Sequence, residues 1–367
     1  MINGESQELK LEVEEPKTID ETDKEIRQFL ELQKARVRVF GIGGGGNNTL
    51  SRMMEIGIKG ADLVAINTDA QDLLYTHATS KILIGKELTF GLGAGSDPKI
   101  GQEAAKESES EIRKRMQGAN LIFITCGLGG GTGTGAAPVV AEVAKKLGLL
   151  TIAVVTLPFT IEGKRRWENA MLGLERLEDL VDTLIVIPND KLLEMAPDLP
   201  LQTAFKIADE ILTNSVKGMT ELITNPGLVN LDFADIKTVM TNAGVAMIGV
   251  GESDAKNRAQ DAIEKAINNP LLDIEIEGAT GALVNITGGK DMSLDEAKEI
   301  IEYVNTKLGK GAKLIWGASI SEDMGTNLRV MLIMTGVKSP QLFGGIFDKK
   351  KEAEKKEDED LGIEFID

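Results

Sequence analysis

Cysteine and histidine each occur once in this chain of 367 residues. The single thiol, Cys126, closes no internal disulfide, and one histidine beside one cysteine argues against a dedicated zinc site. Apolar runs are short. The longest, such as Leu149 to Phe159, fall far below the roughly 20 residues that a bilayer-spanning helix needs, so no direct membrane insertion is expected. The first residues lack the basic flank and apolar core of a secretion signal, which predicts a cytoplasmic protein. Basic residues are outnumbered by acidic ones, 41 to 58, for a formal net charge of -17. Such a field repels nucleic acid and anionic membrane, so neither is an expected direct partner, and it suits a partner that brings divalent cations.

Glycine, in contrast, is concentrated where it has work to do. The run Leu121 to Thr125 reads as a buried parallel strand, Gly127 to Gly135 is GLGGGTGTG, and Ala136 to Leu147 reads as the following helix, with Pro138 tolerated in its first turn. A loop between a strand's carboxyl end and a helix's amino end, stripped of Cβ atoms, predicts a phosphate guest. A second such loop lies upstream: Arg36 to Phe40 reads as a strand, and Gly41 to Gly46 (GIGGGG) leads into a helix expected from Asn47. Gly41, Gly43 and Gly46 satisfy G-x-G-x-x-G, and Asp69 ends the next strand about where a dinucleotide fold places its ribose-binding acid. An oxidoreductase using NAD or FAD on a Rossmann domain is therefore a competing reading.

Absent motifs narrow the nucleotide class. No G-x-x-x-x-G-K-[ST] occurs, which excludes the lysine-bearing P-loop, and no Asn-Lys-x-Asp segment of the small-GTPase type is present. GIGGGGNN (41–48), NTDAQ (67–71), GLGAGSDP (91–98), GLGGGTGTG (127–135), PFTIEGKRR (158–166), PND (188–190) and NLDFADI (230–236) follow one another in the order of a known family. Through them the chain resembles the tubulin/FtsZ family, prokaryotic cell-division GTPases, from about Arg36 to about Val337. One departure is small: Asn47 stands where many relatives have glycine.

The resemblance implies GTP and GDP as ligands, with Mg²⁺ bound through the nucleotide and no metal site of the protein's own. It places Gly44, Gly45, Gly46, Asn47 and Asn48, with Gly129, Gly130, Gly131, Thr132 and Gly133, around the phosphates, and Asn67, Ala70, Gly93 and Gly95 in loops facing the terminal phosphate. Glu162 and Arg166, spaced like an ordinary i, i+4 ion pair, would touch ribose and guanine. Asp209 would accept from the guanine N1–H and 2-amino group, donors that adenine lacks on that edge. Asn230, Asp232 and Asp235 would enter the pocket of the next subunit and position the attacking water. Read on their own, Asp232 and Asp235 equally suit the cap and first turn of a helix. Head-to-tail filaments forming the division ring at midcell are implied in turn. His77 reads as a surface residue, and Trp167, Trp316 and Cys126 as packing residues.

The expected fold is α/β: a Rossmann-like, mainly parallel sheet joined by a long central helix to a smaller α/β domain. Residues 1–35 form an acidic extension with a short helix near Asp20 to Ala35. Residues 36–200 form the GTP-binding domain, with strands at RVRVF, ADLVAIN, KILIG, LIFITC, TIAVVTL and TLIVIP. Residues 201–225 are the connecting helix. Residues 226–338 form the C-terminal domain, with strands at MIGVG, GALVNITGG, KLIWGASI and LRVMLIMTG. Residues 339–367 are a flexible charged tail ending in LGIEFID, an apolar cluster that the resemblance assigns to a membrane tether.

Overall fold

The computed structural model describes residues 35–195, 200–224, 228–229, 231–269, 279–309 and 311–337. All of them belong to one compact unit that begins at Ala35. The expected helix near Asp20 to Ala35, the tail beyond residue 337 and Asn230 lie outside the described residues.

Apolar runs of β-branched residues become strands buried on both faces, as a parallel sheet requires. The first six are β1 (Val37–Ile42), β2 (Ala61–Asn67), β3 (Ser80–Leu83), β4 (Leu121–Gly127), β5 (Leu150–Leu157) and β6 (Thr183–Pro188), arranged β3-β2-β1-β4-β5-β6 and all parallel. The sheet continues through β7 (Gly244–Ser253), which is parallel to β6 over three residue pairs. Beyond it come β10 (Leu328–Thr335), antiparallel to both its neighbours, then β8 (Gly281–Gly288) and β9 (Lys313–Ile320). This mixed, mainly parallel α/β architecture is the one the sequence predicts.

The two-residue alternation of each strand feeds two separate cores. Phe40, Ile42, Ile122 and Ile124 face one side, while Val37, Val39, Leu121 and Phe123 face the other. The first face is covered by α4 (Pro98–Glu107), α5 (Glu109–Met116), α6 (Thr132–Lys146) and α7 (Lys164–Glu178). The second is covered by α1 (Gly43–Glu55), α9 (Leu201–Thr224) and α10 (Phe233–Met240). This second core also takes in Ala246, Leu283, Met331 and Ile333, so α9 packs against both halves of the sheet. A third core lies between the far strands and α11 (Arg258–Ile267) and α12 (Leu294–Lys307). The remaining short helices are α2 (Ala70–Tyr75), α3 (Lys86–Thr89) and α8 (Asn189–Met195).

Two helices begin earlier than their sequence suggests. α1 starts at Gly43 rather than Asn47, and α6 at Thr132 rather than Ala136. Glycine is a poor helix former, but here tertiary contact decides. A Cβ on Gly46 would lie 2.4 Å from Thr125 O, and one on Gly135 would lie 2.0 Å from Pro98 O. Only a glycine turn lets these helices start directly against the strand ends. Cys126 is buried in the first core, where burial pushes its thiol up to about 12 and leaves it inert. His77 is exposed, as expected, whereas Trp167, expected to pack, is 37% exposed.

Candidate active site

β1 runs straight into α1, and β4 reaches α6 through Leu128–Gly131 alone. The two strands are paired with Gly41 opposite Thr125, so the two helices start side by side, close enough that a Cβ on Gly43 would sit 2.9 Å from Gly133 N. No side chain caps either helix: Ile42 and Gly131 occupy the cap positions. Their first-turn N–H groups and the positive ends of both dipoles converge on the carboxyl edge of the sheet, and an anion supplies what the caps do not.

The glycines divide into two kinds. Gly46, Gly131 and Gly133 are dictated by packing, since a Cβ would come within 2.4 Å of Thr125 O, 2.8 Å of Asp97 N and 2.6 Å of Gly127 O in turn. Gly45 is tight as well, at 3.1 Å from Gly127 N. Gly130 meets nothing within 4 Å, and Gly44 meets only Asp72 Oδ2 at 3.9 Å. These two positions border open space, where absence of a Cβ admits a ligand. Gly129 turns the loop at a φ of +103° while its N–H donates to the buried Thr134 Oγ1 at 2.8 Å.

Around this cradle the loops brace one another. Asn67 is buried, and its side chain is spent within the loop: Oδ1 accepts from Thr68 N (2.8 Å), and Nδ2 donates to Asp72 Oδ2 (2.6 Å). The buried Asn47 donates to the same carboxylate oxygen at 3.4 Å, and its own Oδ1 has no protein partner. Asn48, next along, is exposed. Thr68 and Thr132 join hydroxyl to hydroxyl at 2.7 Å. Ala70 N donates to Gly91 O, and Gly93 N to Thr68 O, which ties the 67–70 loop to the 91–96 loop; Gly95 has open space on its Cβ side. Asn169 on α7 reaches both Gly129 O (3.3 Å) and Ser96 O (3.5 Å).

Glu162 and Arg166 form the ion pair that their spacing suggests, with Glu162 Oε1 also accepting from Phe159 N at 2.9 Å. Beside them Phe205, at the start of α9, packs edge-on against the buried Phe159 (centroids 5.0 Å apart, planes at 88°) and leaves 39% of its surface exposed. One helical turn further, Asp209 is half-buried, and burial pushes its carboxyl up to about 6 against the lowering influence of Arg52.

Asp232 and Asp235 are not near this cradle. α9 starts at the carboxyl edge of the sheet, with Phe205 on Phe159, and ends at its amino edge, where Thr224 lies against Lys59 and Gly60 just ahead of β2. Its 24 residues span about 36 Å at 1.5 Å each. The chain re-emerges at Leu228 and Val229, paired to Ala318, and continues to two exposed acids. Asp232 caps α10, accepting from Ala234 N at 3.1 Å, and Asp235 sits in its first turn. Sequence reading missed Asp72 and Asn169, lone polar residues outside the quoted motifs, and did not single out Thr134 within GLGGGTGTG.

Two uncapped helix ends at the carboxyl edge of a parallel sheet, with an acid and a half-exposed ring beside them on a crossing helix, define a nucleotide-binding α/β protein of tubulin-like build. Comparison with known proteins agrees. Residues 36–197 match the model of the Tubulin/FtsZ family GTPase domain, and residues 244–338 match that of the FtsZ family C-terminal domain. Cell division protein FtsZ 1 of Thermococcus kodakarensis is 60% identical over 326 residues, 89% of this chain and 87% of that protein. Its counterpart from Methanocaldococcus jannaschii is 57% identical over 332 residues, covering 90% and 91%. A solved structure titled "FtsZ dimer, empty" from M. jannaschii superposes with a TM-score of 0.83 at 58% identity, over 86% of this chain and 92% of that one. CetZ2 from Haloferax volcanii shares the fold at 21% identity, with a TM-score of 0.73 over 88% of this chain and 99% of that one.

The chain belongs to the FtsZ family: it is a tubulin-like GTPase of cell division, binding GTP and GDP. The oxidoreductase alternative has no support. Asp69, its would-be ribose ligand, caps α2 instead, accepting from Gln71 N (2.9 Å) and Asp72 N (3.0 Å). No helix among the described residues is long and apolar enough to cross a membrane.

Proposed function

We propose that GTP is held with its phosphates on the paired starts of α1 and α6, its base against Phe205 and Asp209, and that a second copy of the chain completes the hydrolytic site. Gly44, Gly45, Gly46, Asn47, Asn48 and Gly129 to Gly133 line the phosphate space, where first-turn backbone N–H groups and the exposed Asn48 amide donate to the phosphates while the Gly129 N–H stays on Thr134 Oγ1. Asn67, Ala70, Gly93 and Gly95 lie in the two braced loops that close over the terminal phosphate. Mg²⁺ would ride on the phosphates and offset their developing charge. Asp209, mostly ionised at neutral pH, accepts from the two guanine donors, and the exposed face of Phe205 suits a planar base. Glu162 and Arg166 border the ribose.

The observation that carries this reading is the placement of Asp232 and Asp235 at the opposite end of α9 from the cradle. No side-chain motion spans the length of α9, about 36 Å, so acids that position water must come from another copy, and repetition of that contact gives a head-to-tail filament. A rim of exposed apolar residues on the cradle side, Phe90 at 79% and Leu92 at 83%, supports a protein partner there. The division ring, its midcell placement and docking of LGIEFID on a membrane tether complete the reading, with Asn230 joining the two acids. Turnover per molecule should rise steeply above a threshold protein concentration. Activity that stays flat on dilution would mean that each chain hydrolyses GTP alone.

A further inference from the structure

Two hydroxyls meet where the 67–70 loop touches the cradle, and only one of them is open to a ligand. Thr132, the first residue of α6, is partly exposed, and its side chain lies between the two helix starts: a Cβ on Gly43, the first residue of α1, would meet Thr132 Cβ at 3.3 Å. Thr68 is fully buried, and its Oγ1 lies 2.7 Å from Thr132 Oγ1, the single hydrogen-bond partner of that hydroxyl among the described residues. The backbone of Thr68 is fixed on both sides. Its N–H donates to Asn67 Oδ1 at 2.8 Å, and its carbonyl accepts from Gly93 N at 3.2 Å and from the Thr89 hydroxyl at 3.3 Å. Asn67 is held in turn by Asp72 Oδ2 at 2.6 Å.

A hydroxyl carries one proton and two acceptor lone pairs. If Thr132 donated to Thr68, the Thr68 proton would have no acceptor in a place closed to water, and a buried donor left unmade is strongly disfavoured. If Thr68 donates, its proton is satisfied, and Thr132 keeps a free proton in the open position beside the uncapped helix starts. The pair therefore has a direction, from Thr68 to Thr132 and from Thr132 to the occupant of the cradle. We propose that Thr68 is a positioning residue for nucleotide binding, which aims the Thr132 O–H at an anionic phosphate oxygen. The proposal rests on the reading that phosphates occupy the starts of α1 and α6. An ionised oxygen accepts such a proton strongly, and a hydroxyl that is itself accepting is the better donor. Thr68 touches no ligand and acts through Thr132.

The test is a double-mutant cycle on GTP affinity, measured by equilibrium binding with Mg²⁺ at protein concentrations too low for assembly. Thr132→Val keeps the shape of the side chain, removes the donor, and should weaken GTP binding by about tenfold or more. Thr68→Val should weaken it by about threefold to tenfold, and Thr68→Ser should restore it. In the Thr132→Val background, Thr68→Val should cause no further loss. A Thr68 that only braces its loop would weaken GTP binding by the same factor in both backgrounds, and that result overturns the proposal. Wild-type affinity in Thr68→Val, with weak binding in Thr132→Val, overturns it as well and leaves the phosphates where they are placed. Wild-type affinity in Thr132→Val is the separate outcome in which the phosphates do not lie against Thr132 and the underlying placement fails. Should Thr68→Val fail to fold, Thr68→Ala removes the same hydroxyl and runs the same cycle.

Discussion

At one end of α9 the candidate site is made of backbone, and at the other it is made of side chains. The cradle consists of the first turns of α1 and α6, whose cap residues, Ile42 and Gly131, supply no side-chain acceptor. At the far end Asp232 has already spent its carboxylate on α10, and Asp235 complements the same helix end. A cradle that cannot satisfy itself advertises its ligand, whereas acids that cap a helix look complete without one. The same chemistry, N–H groups at a helix start, thus points to a ligand in one place and, on the proposed reading, conceals a role in the other.

The sharpest break in that comparison comes from the acids. Asp235→Ala should still bind GTP and assemble, yet lose about 100-fold or more in turnover, because it removes water positioning and leaves the cradle untouched. Mixing it with a cradle variant such as Gly130→Trp, whose side chain enters the open phosphate space and leaves Asp235 intact, should return part of the activity. Asp232→Asn keeps a capping oxygen, so its melting temperature should stay within a degree or two while turnover falls. Normal turnover in both acid variants would leave the far end with a structural role only.

Next in size is the division among the glycines. Gly133→Ala pushes a methyl to 2.6 Å from Gly127 O and should cost about 1–3 kcal/mol of stability together with GTP affinity. Gly130→Ala enters open space and should leave stability within about 0.5 kcal/mol. It should nevertheless weaken GTP binding, since the new methyl occupies phosphate space. Equal affinity in Gly130→Ala and wild type would move the phosphates away from that loop.

Most of the fold is legible in the sequence because buried parallel strands are unbroken apolar runs: Leu121 to Thr125 and Thr183 to Pro188 admit little else. The glycine loops are legible for the same reason, since few structures need so many absent Cβ atoms. The helix starts at Gly43 and Thr132 were not, because glycine's low propensity was overruled by contacts with Thr125, Gly127 and Pro98 that no local pattern encodes. Asp72, which gathers the amides of Asn47 and Asn67, and Asn169, which bridges two loops, are single polar residues whose partners lie 5 to 73 positions away. The guanine-reading role proposed for Asp209 comes only from the resemblance. A lone acid on a helix says nothing until burial and Arg52 give it an environment.

That environment yields the smallest effect, and one with a definite sign. Asp209 has a folded-state pKa raised from 3.8 to about 6, so between those values the folded chain holds a proton that the unfolded chain releases. Stability must therefore fall as pH rises through that window, and the loss is complete above it. Two units correspond to about 3 kcal/mol at full strength, and partial exposure with solvent screening brings the expected loss to about 1 kcal/mol. Asp209→Asn has no charge to desolvate. In nucleotide-free protein it should match wild type near pH 4 and melt a degree or two higher at pH 7, even as it loses selectivity for GTP. The cradle end would then carry a carboxylate that destabilises the empty fold and is kept for the base it reads. If Asp209→Asn instead melts lower than wild type at pH 7, the carboxylate has a stabilising partner within the chain, and its place in the guanine pocket must be reconsidered.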